Sequence, residues 1–250
     1  MEKISAIVTC FNREKEIGVC LESLKWADEL IVVDSFSTDR TAEIAAAYAD
    51  KFFRRKYISP GEQKNWAIGR ASHPWILAID SDEVVPPALR DEIMSELEKP
   101  RYHQYKAYRR NFFLGKEIKH CGWDTDKIII IFRKDRYRYR EDVVHDRLLP
   151  EDRFRFFENK VVHHPHRSIE DFISRSNRYS RGGAEKYFRE GKRGGALKMF
   201  FHAAFNFLKM YFFRLGFLDG ARGLIICTLS SCYVAEKYAH LWELSQKNKT

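Results

Sequence analysis

Two aspartates at the end of an apolar run are the residues of this sequence best suited to chemistry. Asp80 and Asp82 follow residues 75–79, a run with the length and composition of a strand buried on both faces of a parallel sheet. Residues two apart in extended backbone point the same way, so both carboxylates would lie at the strand's carboxyl end, where open α/β sheets bind ligands. Carboxylate oxygens suit Mg²⁺ or Mn²⁺. We therefore predict a divalent-cation site, with a solvated turn or helix cap as the alternative.

The segments before this pair alternate between strand and helix patterns. Apolar runs at residues 4–9 and 30–33 each precede turn-forming residues and a segment of helical periodicity, and a shorter strand and a helix are predicted near 51–55 and 61–71. This alternation is typical of an open, mostly parallel sheet whose carboxyl edge binds a nucleotide. Asp34 ends the second run, where a carboxylate can reach a ribose or base. No dinucleotide-binding or P-loop glycine pattern follows these strands, which disfavours both of those enzyme classes.

The remainder of the chain changes pattern twice. Short aromatic and basic segments at residues 105–113, 127–133 and 137–140 predict antiparallel strands that extend the first sheet. From residue 168 onward the periodicity is helical. We therefore expect a nucleotide-binding and catalytic domain at residues 1–167 and a helical segment at residues 168–250.

The positive charge of the chain is concentrated in the helical segment. The net charge is +9, and residues 175–222 hold eleven Lys or Arg against three acidic residues, a local net charge of +8. A helix predicted at residues 196–217 is mostly apolar, with one polar stripe formed by Lys198, His202, Asn206 and Lys209. No uninterrupted apolar run is long enough for a transmembrane span. We favour a helix lying on an anionic membrane over a buried one, and leave oligomerisation through the helices open.

Cysteine usage and the N-terminal sequence indicate where the protein works. The five cysteines are scattered without a Cys-x-x-Cys pair, so neither a disulfide framework nor a zinc site is predicted. The first residues enter a strand-like run and lack the pattern of a secretion signal. We expect a cytoplasmic protein held peripherally on the inner face of the cytoplasmic membrane.

Three strand-end motifs in this order and spacing resemble those of the family 2 glycosyltransferases with the GT-A fold. They lie at residues 7–12, 33–41 and 79–83. Later motifs resemble the lipopolysaccharide-core subgroup of that family, and they extend the resemblance over nearly the full chain: residues 109–111, 122–123, 144–146, 164–168, 177–180 and 216–220.

The resemblance implies an inverting transfer of a hexose such as glucose from a UDP-sugar to a hydroxyl of a lipid-linked acceptor, such as the lipopolysaccharide inner core. It implies that Asp80 and Asp82 hold Mg²⁺ or Mn²⁺, with His164 as a further metal ligand. The residues implied to border the donor are Thr9, Phe11, Asn12, Glu14, Asp34, Ser35, Gln63, Lys64, Asn65, Asp80 and Ser81.

A carboxylate must take the proton of the acceptor hydroxyl as it attacks. Asp146 corresponds to the acid that follows Val-His in the subgroup, although Glu is expected there and Asp is one methylene shorter. Asp142 and Glu141 remain alternatives, because this neighbouring pair resembles the base motif of the wider family.

Two other functions compete with sugar transfer. A Mg²⁺-dependent nucleotidyltransferase uses similar strand-end acids, but it usually has a glycine-rich basic loop after the first strand, which residues 10–14 lack. A non-enzymatic protein that binds nucleic acid or lipid would use the basic region at residues 175–222. For nucleic acid the aromatic residues should interleave with the basic ones, whereas here they surround a helix with few charges, so we expect no nucleic-acid partner.

Overall fold

The computed structural model describes residues 2–140, 148–150 and 152–247. Its contacts divide the chain into two compact units. The strand-rich unit contains residues 1–110 and 126–163, and the helical unit contains residues 111–125 and 164–250. The predicted boundary between residues 167 and 168 lies four residues after His163, and the segment 111–125 groups with the helical unit.

Strands and helices alternate through the first hundred residues, as the apolar runs predict. The strands are β1 (Ile4–Cys10), β2 (Glu29–Asp34), β3 (Lys51–Arg54), β4 (Trp75–Asp80), β5 (Glu83–Val84), β6 (Gln104–Phe113), β7 (Lys116–Glu117), β8 (Lys127–Arg133), β9 (Arg138–Tyr139), β10 (Leu148–Leu149), β11 (Arg155–Phe156) and β12 (Val161–His166). The helices are α1 (Ile17–Glu22), α2 (Thr41–Tyr48), α3 (Pro60–Ile68), α4 (Pro87–Glu98), α5 (Ile169–Arg189), α6 (Ala196–Leu208) and α7 (Gly220–Lys247).

The main sheet combines a parallel part with an antiparallel extension, which confirms the predicted fold class. Its strand order is β3-β2-β1-β4-β8-β6-β12-β5. The first four strands are parallel, whereas β8 runs antiparallel to both β4 and β6. Along β1, Thr9 lies opposite Asp80 and Cys10 lies opposite Asp34. The two acidic strand ends therefore flank the end of β1 at one edge of the sheet.

The parallel strands are apolar on both faces because helices cover both. Val8 belongs to the core layer that includes Leu21 of α1, whereas the adjacent Ile7 packs in the opposite layer with Ile68 of α3. Each of these four side chains is at most 1% exposed. Alternation of side chains along an extended strand explains why uninterrupted apolar runs mark these strands in the sequence.

In the helical unit, α7 packs against α5 and α6. The single helix predicted at residues 196–217 is wrong, because α6 ends at Leu208 and is followed by a π-helical turn, Lys209–Phe213, and a 3₁₀ turn, Gly216–Asp219. Leu215, between the two turns, has a left-handed backbone with φ of 53°, which a continuing α-helix does not allow.

The four residues of the polar stripe predicted on this helix lie in different surroundings. Asn206 Nδ2 donates a hydrogen bond to Ser231 Oγ of α7 at 3.3 Å, and the His202 ring stacks on Tyr238 with centroids 4.4 Å apart. Two of the four polar residues therefore contact α7, and Lys198 and Lys209 are exposed.

One stretch within the described residues, Gly216–Lys247, is long and apolar enough to cross a membrane by length and composition. The sequence predicted no such segment because no uninterrupted apolar run is long enough. In α7, small residues lie between the apolar ones. Polar residues of α7 nevertheless find partners on α5. Ser180 Oγ donates to Glu236 Oε2 at 3.4 Å, and Lys237 Nζ lies 4.6 Å from the centre of the Tyr187 ring.

Candidate functional site at the strand ends

The turn after β4 concentrates three carboxylates within four residues. Asp80 ends β4, the buried Asp82 follows Ser81, and Glu83 begins β5. The backbone N–H of Asp80 donates to Glu83 Oε2 at 2.9 Å, which folds the Glu83 side chain back beneath the strand end. The Glu83 side chain is 1% exposed, whereas that of Asp80 is 36% exposed. The turn therefore presents Asp80 outward and keeps Glu83 inside.

Arg109 of β6 connects this turn to the antiparallel part of the sheet. Its Nε lies 2.6 Å from Glu83 Oε1 and its Nη2 lies 3.1 Å from Asp80 Oδ2. Its Nη1 contacts Asp126 Oδ2 at 3.4 Å. One guanidinium thus binds three carboxylates, a role that suits the planar fork of five donors in arginine.

Two further cations reach the Asp-x-Asp pair from the parallel side of the sheet. Lys64 Nζ of α3 lies 2.9 Å from Asp80 Oδ1. Arg13, in the loop after β1, places its Nη2 3.1 Å from Asp82 Oδ2. Both aspartates therefore have a cationic partner, and the partners come from elements that lie beside the acidic strand ends.

The environment separates the pKa values of the three acids. Although burial opposes ionisation of Asp80, the Lys64 ammonium and the Arg109 guanidinium lower the pKa of its carboxyl below the usual range. Burial raises the pKa of Asp82 to about 6 and that of Glu83 to about 7, despite the nearby arginines. Proximity of like charges contributes to both rises. Negative charge is therefore most stable on Asp80.

The end of β2 is a tightly bonded turn. Asp34 is fully buried, and its Oδ2 accepts the backbone N–H of Ser37 at 3.0 Å, while Ser37 Oγ donates to Oδ1. Arg54 of β3 lies 3.4 Å from Oδ2. Asp34, predicted to reach the nucleoside, thus lies at the expected strand end and shapes the turn that borders this edge.

The loop after β1 is attached to this same turn. Asn12 has a left-handed backbone with φ of 51°, a conformation that Asn tolerates better than most residues. Its N–H donates to Ser37 Oγ at 2.9 Å, and its Oδ1 accepts the N–H of Thr38 at 2.8 Å. Glu14 Oε2 accepts the N–H of Arg40 at 3.2 Å. Phe11 is 49% exposed at the tip of the loop.

The predicted donor residues of α3 fall into different environments. Gln63 is buried, and its Nε2 donates to Ser35 Oγ at 3.2 Å, so it connects α3 to the end of β2. Asn65 makes two 2.8 Å hydrogen bonds with the backbone of Tyr139, one to its carbonyl and one from its N–H. Asn65 therefore fixes β9 against α3, and Lys64 is the member of this trio that contacts a carboxylate of the Asp-x-Asp turn.

Of the two adjacent histidines in β12, His163 is the one beside the carboxylates. Its Nε2 lies 3.6 Å from Asp82 Oδ1. The predicted metal ligand, His164, is exposed and stacks on Phe112 with centroids 5.2 Å apart. Because successive side chains of a strand alternate in direction, a difference of one position changes the face on which a side chain lies.

The three base candidates, Asp146, Asp142 and Glu141, lie outside the described residues. Four residues of the site were not predicted from the sequence: Arg13, Arg109, Glu83 and His163. Arg109 and Glu83 could have been noticed as charged residues within or beside strands. The pairing of Arg109 with Glu83, however, depends on strand register.

Asp80 and Asp82 fit a divalent cation by the chemistry of their donors. Both supply hard oxygens, and a cation beside the buried Asp82 would favour its ionised form. No group of three or more His, Cys, Asp or Glu side chains in the described part of the chain is arranged to hold a metal ion. Water or a bound diphosphate can supply further ligands to a cation held by the two aspartates.

The sequence of this chain matches a known protein family. The family described as Glycosyl transferase family 2 matches residues 5–150, more than half of the chain. The chain belongs to this family. It is therefore a glycosyltransferase with a GT-A-type sheet, and membership decides against a nucleotidyltransferase and against a purely binding protein.

Curated relatives match this glycosyltransferase over most of its length. The lipopolysaccharide core biosynthesis glycosyltransferase LpsC of Rhizobium meliloti (strain 1021) is 27% identical, over 94% of this chain and 93% of its own. An uncharacterized glycosyltransferase of Rickettsia bellii (strain RML369-C) is 28% identical, over 98% of this chain and 87% of its own.

Solved structures match a smaller part of the glycosyltransferase. Staphylococcus aureus TarS is 20% identical with a TM-score of 0.48, over 71% of this chain and 39% of its own. Glucosyl-3-phosphoglycerate synthase from Mycobacterium tuberculosis, in complex with Mn²⁺, UDP and glucosyl-3-phosphoglycerate, is 25% identical with a TM-score of 0.39, over 44% of each chain. This chain thus spans less than half of either protein.

Proposed function

We propose that this glycosyltransferase moves a hexose such as glucose from a UDP-sugar to a hydroxyl of a lipid-linked acceptor, with inversion at the anomeric carbon. The observation that carries the proposal is the Asp80–Asp82 turn, which lies beside the ends of β1 and β2 at one sheet edge. Ligands of open α/β sheets bind at this edge. The relative named for lipopolysaccharide core biosynthesis, matched along 93% of its length, supports an acceptor of the lipopolysaccharide-core type.

The donor lies, on this proposal, along the edge formed by the first two strand ends. Asp34 and the loop around Asn12 border the nucleoside, since they are hydrogen-bonded to one turn. The other residues assigned to the donor are Thr9, Phe11, Glu14, Ser35, Gln63, Lys64, Asn65, Asp80 and Ser81. Gln63 and Asn65 contribute by holding α3 and β9 in place, because their amides are bonded to protein groups.

The two aspartates hold Mg²⁺ or Mn²⁺, and a bound cation would neutralise charge that develops on the diphosphate leaving group. Lys64 and Arg109 keep Asp80 ionised and oriented. Arg13 orients Asp82 and brings a positive charge close to where the phosphates bind. His164, given a ligand role by family resemblance, lies one position from His163, which is the imidazole near Asp82.

Asp146 accepts the proton of the acceptor hydroxyl as that oxygen attacks the anomeric carbon, with Asp142 and Glu141 as the alternative bases. The lipid-linked acceptor places the enzyme at the cytoplasmic face of the membrane, as a peripheral protein. Oligomerisation through the helical unit is the alternative to membrane attachment.

Release of UDP from a panel of UDP-hexoses, measured with an inner-core lipid acceptor, tests the proposal. We expect UDP release that requires the acceptor and is lost when EDTA removes divalent cations. Asp82→Asn should reduce the rate by about 10²- to 10³-fold, the usual effect of losing one group that stabilises transition-state charge.

The matched control is Asp91→Asn, because Asp91 is an exposed aspartate on α4. This variant should keep the wild-type rate. Acceptor-dependent release that persists in EDTA, or an Asp82→Asn enzyme as fast as the control, would reject metal-assisted transfer.

A further inference from the structure

An apolar stripe on α6 and the following turn faces solvent. Leu197, Phe201, Phe205, Leu208 and Phe212 are between 47% and 73% exposed. Their spacing of three or four residues places them on one face of a helix. A row of large apolar side chains is costly to leave in water, and such contiguous surfaces mark contact sites.

The opposite face of α6 is already occupied. Met199, Ala203 and Phe207 are half-buried on that side, and Asn206, one position before Phe207, is hydrogen-bonded to Ser231 of α7. The exposed stripe is therefore not the surface that joins α6 to its own unit. It is a second apolar face, which nothing within the described residues of the helical unit covers.

The apolar surface continues past the end of α6. Phe213 is 80% exposed, and Phe217 and Leu218 in the 3₁₀ turn are also exposed. The left-handed Leu215 follows the π-helical turn and is itself 44% exposed. Aromatic side chains therefore project from both the helix and the turn after it.

The positive charge near this apolar surface indicates which kind of partner binds it. Lys198 and Lys209 are exposed on one flank of the stripe, and the stretch of sequence that contains the stripe, residues 175–222, carries a net charge of +8. A second copy of the chain would bring two such basic surfaces together, which is unfavourable. An anionic bilayer offers apolar depth for the Phe and Leu side chains and negative headgroups for the Lys and Arg side chains.

We infer that the stripe on α6 and the turn through Leu218 insert into the interface of a bilayer that contains anionic phospholipid. The helix lies in the plane of the membrane surface, with Lys198 and Lys209 at the level of the headgroups. α7 remains packed against the inner side of α6. This attachment requires no nucleotide, so it is tested separately from the transfer reaction.

Flotation of the full chain with vesicles measures the attachment directly. We expect binding to vesicles of phosphatidylcholine and phosphatidylglycerol, and at least about tenfold weaker binding to phosphatidylcholine alone. The double variant Phe201→Ser, Phe205→Ser should weaken binding to the anionic vesicles by about tenfold or more. The control is Val19→Ser, which removes an equally exposed apolar side chain from α1 of the other unit.

A second readout avoids dependence on the folding of the double variant. In a Phe201→Trp protein, brominated phosphatidylglycerol vesicles should quench more fluorescence than in the wild type, whose five Trp are elsewhere. Equal binding of both vesicle types, or no additional quenching, would overturn the inference. A dimer dissociated by Phe201→Ser, Phe205→Ser, without vesicle binding, would assign the stripe to a second copy instead.

Discussion

The two units of this glycosyltransferase depart from ordinary protein architecture in opposite ways. The strand-rich unit buries charge: Glu83 is 1% exposed and Arg109 is 16% exposed, and their side chains are paired. The helical unit exposes apolar groups: Phe201 and Phe205 are both more than 60% exposed. Soluble domains generally place these residue types the other way round.

Each departure indicates the kind of partner that the unit meets. Buried charges cost desolvation free energy, and a convergent set of them is suited to hold a small ionic ligand in fixed geometry. Exposed apolar side chains cost free energy in water, and a broad row of them is suited to an extended apolar phase. These two differences agree with our proposals, which assign donor chemistry to the strand-rich unit and membrane contact to the helical unit.

The largest expected effect concerns the proposed base in the strand-rich unit. Asp146→Ala should lower kcat by about 10²- to 10⁴-fold, because the variant lacks the group that accepts the hydroxyl proton. UDP affinity should stay unchanged, since donor binding is assigned to other residues. Steady-state kinetics and UDP titration check both parts, and near-normal turnover of Asp146→Ala would transfer the role to Asp142 or Glu141.

The next effect concerns the buried charge network. Arg109→Met should lower the free energy of unfolding by about 3–5 kcal/mol, because Glu83 is then left buried without its guanidinium partner. Urea denaturation measures the change. The control is Arg40→Met, which breaks an exposed pair with Glu43 and should leave the free energy of unfolding nearly unchanged, because solvent screens such a pair. Equal stability of the two variants would mean that the buried network stabilises the fold no more than an exposed ion pair does.

A smaller effect is expected from pH at the start of β2. Burial of Glu29 would raise its pKa, but hydrogen bonds from Lys51, Ser5 and Ser72 lower that pKa to about 2, from an ordinary value of 4.5. The stabilisation is therefore present above pH 4.5 and is lost as pH falls towards 2. It amounts to about 3 kcal/mol by proton linkage.

Glu29→Gln should remove this pH-dependent part of stability, as measured by urea denaturation across that range. Glu22→Gln, at an exposed pair with Lys25 on α1, is the control and should retain the wild-type pH profile. A Glu29→Gln protein with the wild-type profile would contradict the assignment.

The smallest effect distinguishes the neighbouring histidines of β12. His163→Asn should weaken Mn²⁺-dependent UDP binding by about tenfold, a typical effect of removing a group next to a metal ligand, because His163 lies 3.6 Å from Asp82. His164→Asn, at the exposed residue beside it, should change binding less. If His164→Asn weakened binding more than His163→Asn, His164 would be the metal ligand, as the family resemblance implies.

Features set by local sequence were predictable. The apolar run ending at Asp80 became β4, and Pro87 begins α4, because burial on both faces and the fixed φ of proline leave direct marks in the sequence. The grouping of Asp34 with Asp80 also followed, since parallel strands end at a common edge.

Features set by register and tertiary contact were not predictable. The bond between Arg109 and Glu83 joins residues 26 positions apart, and the choice of His163 over His164 depends on the face that β12 presents. The helical stretch formed by α6 and the π-helical turn ends before the left-handed backbone of Leu215, a conformation that leucine rarely adopts and that the surrounding apolar sequence does not signal.

Calorimetric titration of UDP into the protein, with Mn²⁺ and then with EDTA, tests most directly the claim that the Asp80–Asp82 turn binds the donor through a cation. Parallel titrations with GDP and ADP define the base preference. We predict saturable binding of UDP in Mn²⁺ and its loss in EDTA, with GDP and ADP much weaker. UDP binding of equal strength in EDTA, or no binding of any nucleotide, would contradict the claim.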